Sequence, residues 1–321
     1  MKINWYLLKS GKLIKQPPLE SWLSGSQKMV DDCWFDVEAA QAEELRQFLT
    51  PLNLHPLMLT HILAPKNIPN SLSYEKGFLL EYPLGSETEG KNPGNLEILL
   101  KPPVLVTIHA LPMPSLESLI SSLSTKELGD IQHLPQIIYL ILDQLADMNV
   151  QAEIDIRDQI LNIARILDEK PSQIKSGDLT RIRRRVDQLV SMIENQLYCA
   201  QNLNNSDNEA LQEPHRKAYL LDLITEAEVA QRGVYRLESR VNDLYAFYQA
   251  ASNDRVEKRL RLLTIVSAIT LPLGLITGLL GMNVGGLPGT TAPYGFIFVV
   301  ALMITLGIIE FLYFKFKGWF D

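Results

Sequence analysis

Between Leu262 and Ile309 the chain has no aspartate, glutamate, lysine, arginine or histidine, whereas the residues before this stretch are dense in charge. Helices that cover a soluble core carry a polar face, and this stretch has none, which argues against a buried hairpin of a soluble protein. Cysteine is nearly absent: Cys33 and Cys199 stand alone, with no CxxC and no Cys/His cluster. That excludes a disulfide framework and a thiolate zinc site, and it fits buried or idle thiols in a reducing compartment. The histidines His55, His61, His109, His133 and His215 are scattered without HxxxH or HExxH spacing. No P-loop or nucleophile elbow is present, so neither an enzyme nor a cofactor-dependent protein is indicated. Basic excess is also missing, with 30 Lys and Arg against 37 Asp and Glu. A pI of about 5.4 argues against a nucleic-acid partner. The knot Arg181, Arg183, Arg184 and Arg185 therefore reads as a solvated or intersubunit face. The opening MKINWYLLKSGKLIKQ has no sustained apolar core of a secretory signal.

What is present in the uncharged stretch is a pair of apolar runs at about 262–280 and 296–314. Each holds roughly 19 residues, or roughly 28 Å of helix, close to the ~30 Å hydrocarbon core of a bilayer. Arg255, Lys258, Arg259 and Arg261 precede the first run, Lys315 and Lys317 follow the second, and the linker between them has no basic residue. By the positive-inside rule both flanks lie in the cytoplasm and the linker faces outward, which makes this a multi-pass protein of the inner (plasma) membrane.

The remainder divides by character. Residues 1–133 read as an α+β cytoplasmic domain: FLLEYPL and EILLKPPVLVTIHAL have strand character, while EAAQAEELRQFLTPL and HPLMLTHILA read as short helices. Residues 134–213 form a cytoplasmic helical segment interrupted at Pro171, with Ser176 or Asp178 placed to cap its second helix. Residues 214–261 begin a stalk helix that runs without proline to Pro272, inside the first span of a transmembrane hairpin over 262–321. From Ala218 to Leu280 an unbroken helix would extend roughly 95 Å and would need partner helices; a break between stalk and membrane is the other reading.

WFDV at 34–37, LHPL at 54–57, LVTIHA at 105–110 and a two-span hairpin turning at GMN resemble the CorA superfamily of divalent-cation transporters. The resemblance covers most of the chain. The continuation NVGGLPG, without an acidic MPEL-like loop, is similar to the ZntB branch, associated with zinc. Two departures from magnesium-type members are MLTHILAPKNIPN after LHPL, in place of an acidic residue and an RPK-like stretch, and Gly274, where a hydroxyl residue is usual. The resemblance implies a funnel-shaped homo-oligomer, a pentamer, that carries zinc or magnesium across the membrane with the cation as cargo. A magnesium, cobalt or nickel channel of the same superfamily and a membrane-anchored metal sensor or scaffold are the alternatives.

The residues supply a physical basis for that reading. Asn283, with Gly281 and Met282, sits at the turn of the hairpin among glycines and no charge. An amide carbonyl accepts hydrogen bonds from a cation's hydration waters without trapping it by full charge, the weak binding that conduction needs; as a bland alternative, Asn283 caps the helix. Leu260, Leu263, Ser267, Leu271, Gly274 and Gly278 recur at three- and four-residue spacing and so share one helical face. The leucines could form dewetting constrictions and the small residues leave room for a hydrated ion, although small residues also suit helix packing. Glu310 is the lone acid of the second span, either functional or snorkelling toward Lys315. Glu153, Asp155 and Asp158 are candidate regulatory carboxylates on the helical segment, as against an ordinary solvated face.

Overall fold

The computed structural model describes residues 1–17, 30–38, 41–65, 68–74, 76–84, 94–125, 131–282 and 294–319. Contacts divide the chain into two compact units, Met1–Asp243 and Leu244–Asp321. The first unit is built on a seven-stranded sheet of β1 (Lys2–Lys9), β2 (Lys12–Lys15), β3 (Cys33–Glu38), β4 (Asn70–Tyr74), β5 (Gly77–Pro83), β6 (Asn95–Lys101) and β7 (Val104–His109), in the order β2-β1-β3-β7-β6-β5-β4. β3 and β7 pair in parallel and every other neighbour is antiparallel. The β1–β2 hairpin turns at Ser10 and Gly11, with φ of 53° and 75°, the left-handed pair that a tight hairpin requires.

The strand-like segments of the sequence become β5, β6 and β7, and EILLKPPVLVTIHAL breaks at Pro102 and Pro103, which have no N–H for the ladder. Strand alternation then builds two cores. Phe35, Val37, Leu79, Leu99, Val106 and Ile108 bury one face under α1 (Ala42–Leu49) and α2 (Pro56–Leu63). Trp34, Phe78, Leu80, Ile98, Leu100 and Leu105 bury the other under α3 (Pro114–Thr125), α4 (Leu134–Glu169) and α5 (Ser176–Asn205). The first expected helix is shorter than its sequence pattern, because Glu38 belongs to β3 and Pro51 tightens Thr50–Leu52 into a 3-10 turn.

Polar side chains on the second face form a continuous series of hydrogen bonds. Trp34 Nε1 donates to Thr107 Oγ1 at 3.0 Å, and Thr107 Oγ1 donates to Asp36 Oδ1 at 2.9 Å. His109 presents Nε2 to the same Asp36 oxygen at 3.1 Å and Nδ1 to the Leu111 carbonyl at 2.6 Å. Both ring nitrogens therefore face acceptors, which favours the doubly protonated ring. Burial works against that charge, but the Asp36 carboxylate and the Leu111 carbonyl outweigh it and hold the His109 pKa above its ordinary value.

α6 (Arg216–Leu280) is one unbroken 65-residue helix, so no break separates the expected stalk from the first span. α7 (Gly295–Phe316) follows with 22 residues. Both contain a window long and apolar enough to cross a membrane. Pro272 lies inside α6 and leaves the Ala268 carbonyl without its usual helical donor.

Candidate ion pathway

Within the second unit, α6 has two distinct faces. Ile265 is buried, and Ala268, Ile269, Pro272, Leu273 and Ile276 are half-buried. They recur at three- and four-residue intervals on one side of the helix. On the opposite side Leu260, Leu263, Ser267, Leu271, Gly274 and Gly278 are all exposed, Leu271 the most at 71%. α7 is patterned in the same way: Gly295, Val299, Met303, Leu306, Gly307, Glu310 and Phe314 are partly covered, and the residues between them are exposed. The predicted stripe is thus a side of α6 that the described residues leave open.

Space around its glycines gives the same result. A Cβ added at Gly274 or Gly278 would meet nothing within 4 Å among the described residues, so close packing there does not explain their small size. Gly281 differs: a Cβ there would lie 3.1 Å from the Thr277 carbonyl oxygen, in the last turn of the helix. The Gly281 N–H continues the helical ladder to Thr277 at 2.9 Å, and the Met282 N–H reaches Leu279 at 3.4 Å, where the helix tightens and stops. Asn283 lies outside the described residues. The structure therefore places the stripe on α6, with Gly281 and Met282 immediately after its last residue, Leu280.

Hydroxyl groups along the span are handled in two ways. Thr264, Thr270, Thr277 and Thr305 each donate to the carbonyl four residues earlier, satisfying themselves in apolar surroundings. Among the described residues the Ser267 hydroxyl makes no such bond, and Ser267 is exposed. Glu310 lies on the covered side of α7 and its Oε2 is buried; among the described residues it has no hydrogen-bond partner and no ion pair with Lys315.

The candidate carboxylates on α4 do not converge. Glu153 packs against α6 at Gly233, where an added Cβ would come within 2.3 Å of its Oε2. Asp155 instead accepts from Gln151 Nε2 at 2.9 Å, and Asp158 is exposed. A different group does come together: Asp143 of α4 and Asp222 and Glu226 of α6 offer ligand atoms that all lie within 4.8 Å of one another. Burial, then the neighbouring Asp147 and Asp222, raises the Asp143 pKa; burial, then Asp143, Asp222 and Asp147, raises that of Glu226. Positions 143 and 222 are too far apart in the chain for sequence spacing to reveal this group.

Comparison with known proteins adds an independent line. Residues 31–315 match the profile of a family described as CorA-like Mg2+ transporter protein. YfjQ of Bacillus subtilis is 25% identical over 327 residues, 97% of this chain and 96% of its own length. The solved structure of the CorA magnesium transporter from Methanocaldococcus jannaschii superposes with a TM-score of 0.80 at 19% identity, covering 99% of each chain, and shows the same fold. The zinc transport protein ZntB of Vibrio parahaemolyticus is 31% identical over 131 residues, 39% of each chain.

Proposed function

Because the chain belongs to the family of CorA-like Mg2+ transporter proteins, we propose that it carries a divalent cation across the cytoplasmic membrane through a homo-oligomeric pore lined by α6. The observation that carries this reading is the open stripe from Leu260 to Gly278, apolar and small by turns, which the described residues leave uncovered. One helix cannot enclose a pore, so copies of the chain must complete it around a shared axis, with five the number implied by the family resemblance. The stripe offers no imidazole, thiolate or carboxylate to a bare ion. It suits a cation that keeps its water, recognised at the mouth by a ring of Asn283 amides. Magnesium holds its hydration shell most firmly, whereas the NVGGLPG loop resembles the zinc branch. Uptake into proteoliposomes, with zinc and magnesium offered separately and in competition, tests the reading and selects the ion. Uptake of neither would contradict it.

The basic flanks give this reading a topology. A cysteine introduced at Thr290 is expected to react with a membrane-impermeant thiol reagent added outside; labelling only from the inside would reverse the orientation. The native thiols do not obscure this readout. Cys33 and Cys199 are 0% and 1% exposed. Burial pushes both up to about 12, leaving little reactive thiolate.

A further inference from the structure

The face of the sheet beneath α1 and α2 contains two carboxylates where a core should be apolar. Register places Asn70, Glu81, Glu97 and Ile108 in one row across β4, β5, β6 and β7, with Glu81 directly opposite Glu97. Glu81 is 2% and Glu97 4% exposed. His61 of α2 approaches Glu81 Oε2 through Nδ1 at 3.2 Å, and Asn70 Nδ2 lies 3.4 Å from the same ring nitrogen. Glu81 Oε1 and Glu97 Oε2 are fully buried, and among the described residues neither has a hydrogen-bond partner.

Two ionised carboxylates side by side in such a setting would cost several kcal/mol in desolvation and repulsion. Among the described residues no lysine or arginine is paired with them, and the one ring nitrogen in reach is that of His61. α1 turns Leu45, Phe48 and Leu49 inward and keeps Glu43, Glu44 and Arg46 exposed. β7 presents the apolar Ile108. From the far side of the sheet, the Cys199 thiol donates to the Glu81 backbone carbonyl at 3.5 Å and stays protonated. A single proton held between Glu97 and Glu81 would supply both orphaned oxygens at once, with His61 holding the remaining charge on Glu81.

We propose that Glu81 and Glu97 form a proton-binding site within the cytoplasmic sheet, whose emptying as cytosolic pH rises loosens the pairing of β5 with β6. This goes beyond transport and does not depend on which ion moves. Burial, then the Glu81 charge, pushes the Glu97 carboxyl from its ordinary 4.5 up to about 8. A carboxyl raised on folding binds its proton more tightly in the folded than in the unfolded chain. Its stabilising contribution is complete below about pH 4.5, declines above it, and is gone once pH has passed about 8.

Thermal unfolding of the full chain in detergent between pH 6 and pH 9, with the infrared carbonyl band of neutral carboxylic acids followed in parallel, tests the site. His109, paired with Asp36 and near Glu38 on the opposite face, also releases a proton as pH rises, so the comparison with Glu97→Gln is decisive. Glu97 is expected to contribute a decline of roughly 3 to 5 °C per pH unit from pH 6 to about 8, flattening above that. Glu97→Gln should remove that part of the slope and the titrating neutral-acid band, and Glu81→Gln should move loss of the band to lower pH. A Glu97→Gln protein that keeps the wild-type slope and band would overturn the proposal. So would a Glu81→Gln protein with an unmoved band, a result readable even if Glu97→Gln does not fold.

Discussion

Asn283→Ala is expected to reduce cation uptake by roughly tenfold or more while leaving the oligomer assembled. Each amide carbonyl that bonds a hydration water contributes about 1 kcal/mol, and a symmetric pore repeats the loss at every subunit. Asn283→Asp should act in the opposite sense on binding: a ring of full charges holds a divalent ion far more strongly than a ring of dipoles, so affinity rises and release slows. If Asn283 only capped a helix, Ala would cost about 1 kcal/mol of local stability and Asp would substitute almost without effect. Uptake rate, half-saturation concentration and oligomer size, measured for both variants, distinguish these roles. Unaltered uptake in the alanine variant would remove Asn283 from the pathway.

Leu271→Ser is expected to raise cation flux, with the gain in the resting protein. Leu271 is the most exposed leucine of the stripe, and in an assembled pore its ring would expel water and form a barrier without any moving plug. A leucine exchanged for a hydroxyl side chain removes about 2 kcal/mol of apolar character per subunit, so the passage stays wet and flux rises about tenfold or more. A leucine facing lipid would give a different result: the variant would lose some stability in the membrane and its flux would not rise. Flux at matched protein density, alongside thermal stability in detergent, separates the two.

Much of the architecture was legible because proline, β-branched residues and the absence of charge are local signals. Pro171 marks the end of α4, the apolar content of 78–84 and 97–109 marks β5 to β7, and the uncharged stretch marks both spans. β2 is harder to read, since a four-residue edge strand with lysine at both Lys12 and Lys15 lacks the apolar density of the central strands. Glu81 and Glu97 look in sequence like the solvent side of half-buried strands; only the helices laid over that face bury them. In the pathway, spacing alone placed Leu260 through Gly278 on one face. That the chain leaves this face open depends on where the covered residues of α6 and α7 lie. Glu153, Asp155 and Asp158 are close along one helix, but helical rotation turns Glu153 toward Gly233 and away from Asp155 and Asp158, while Asp143, Asp222 and Glu226 meet across two helices.

The most direct measurement of the central claim places a cysteine at Gly274, where an added side chain meets nothing in the chain, and compares it with one at Ile276 on the covered side of α6. Both variants are reconstituted in liposomes and treated with a small hydrophilic thiol reagent while magnesium or zinc uptake is followed. If the stripe lines the path, the reagent blocks uptake through the Gly274→Cys protein and leaves the Ile276→Cys protein conducting. Uptake that continues unchanged through modified Gly274→Cys protein, with the label shown to be attached, would contradict the account and place the cation path elsewhere.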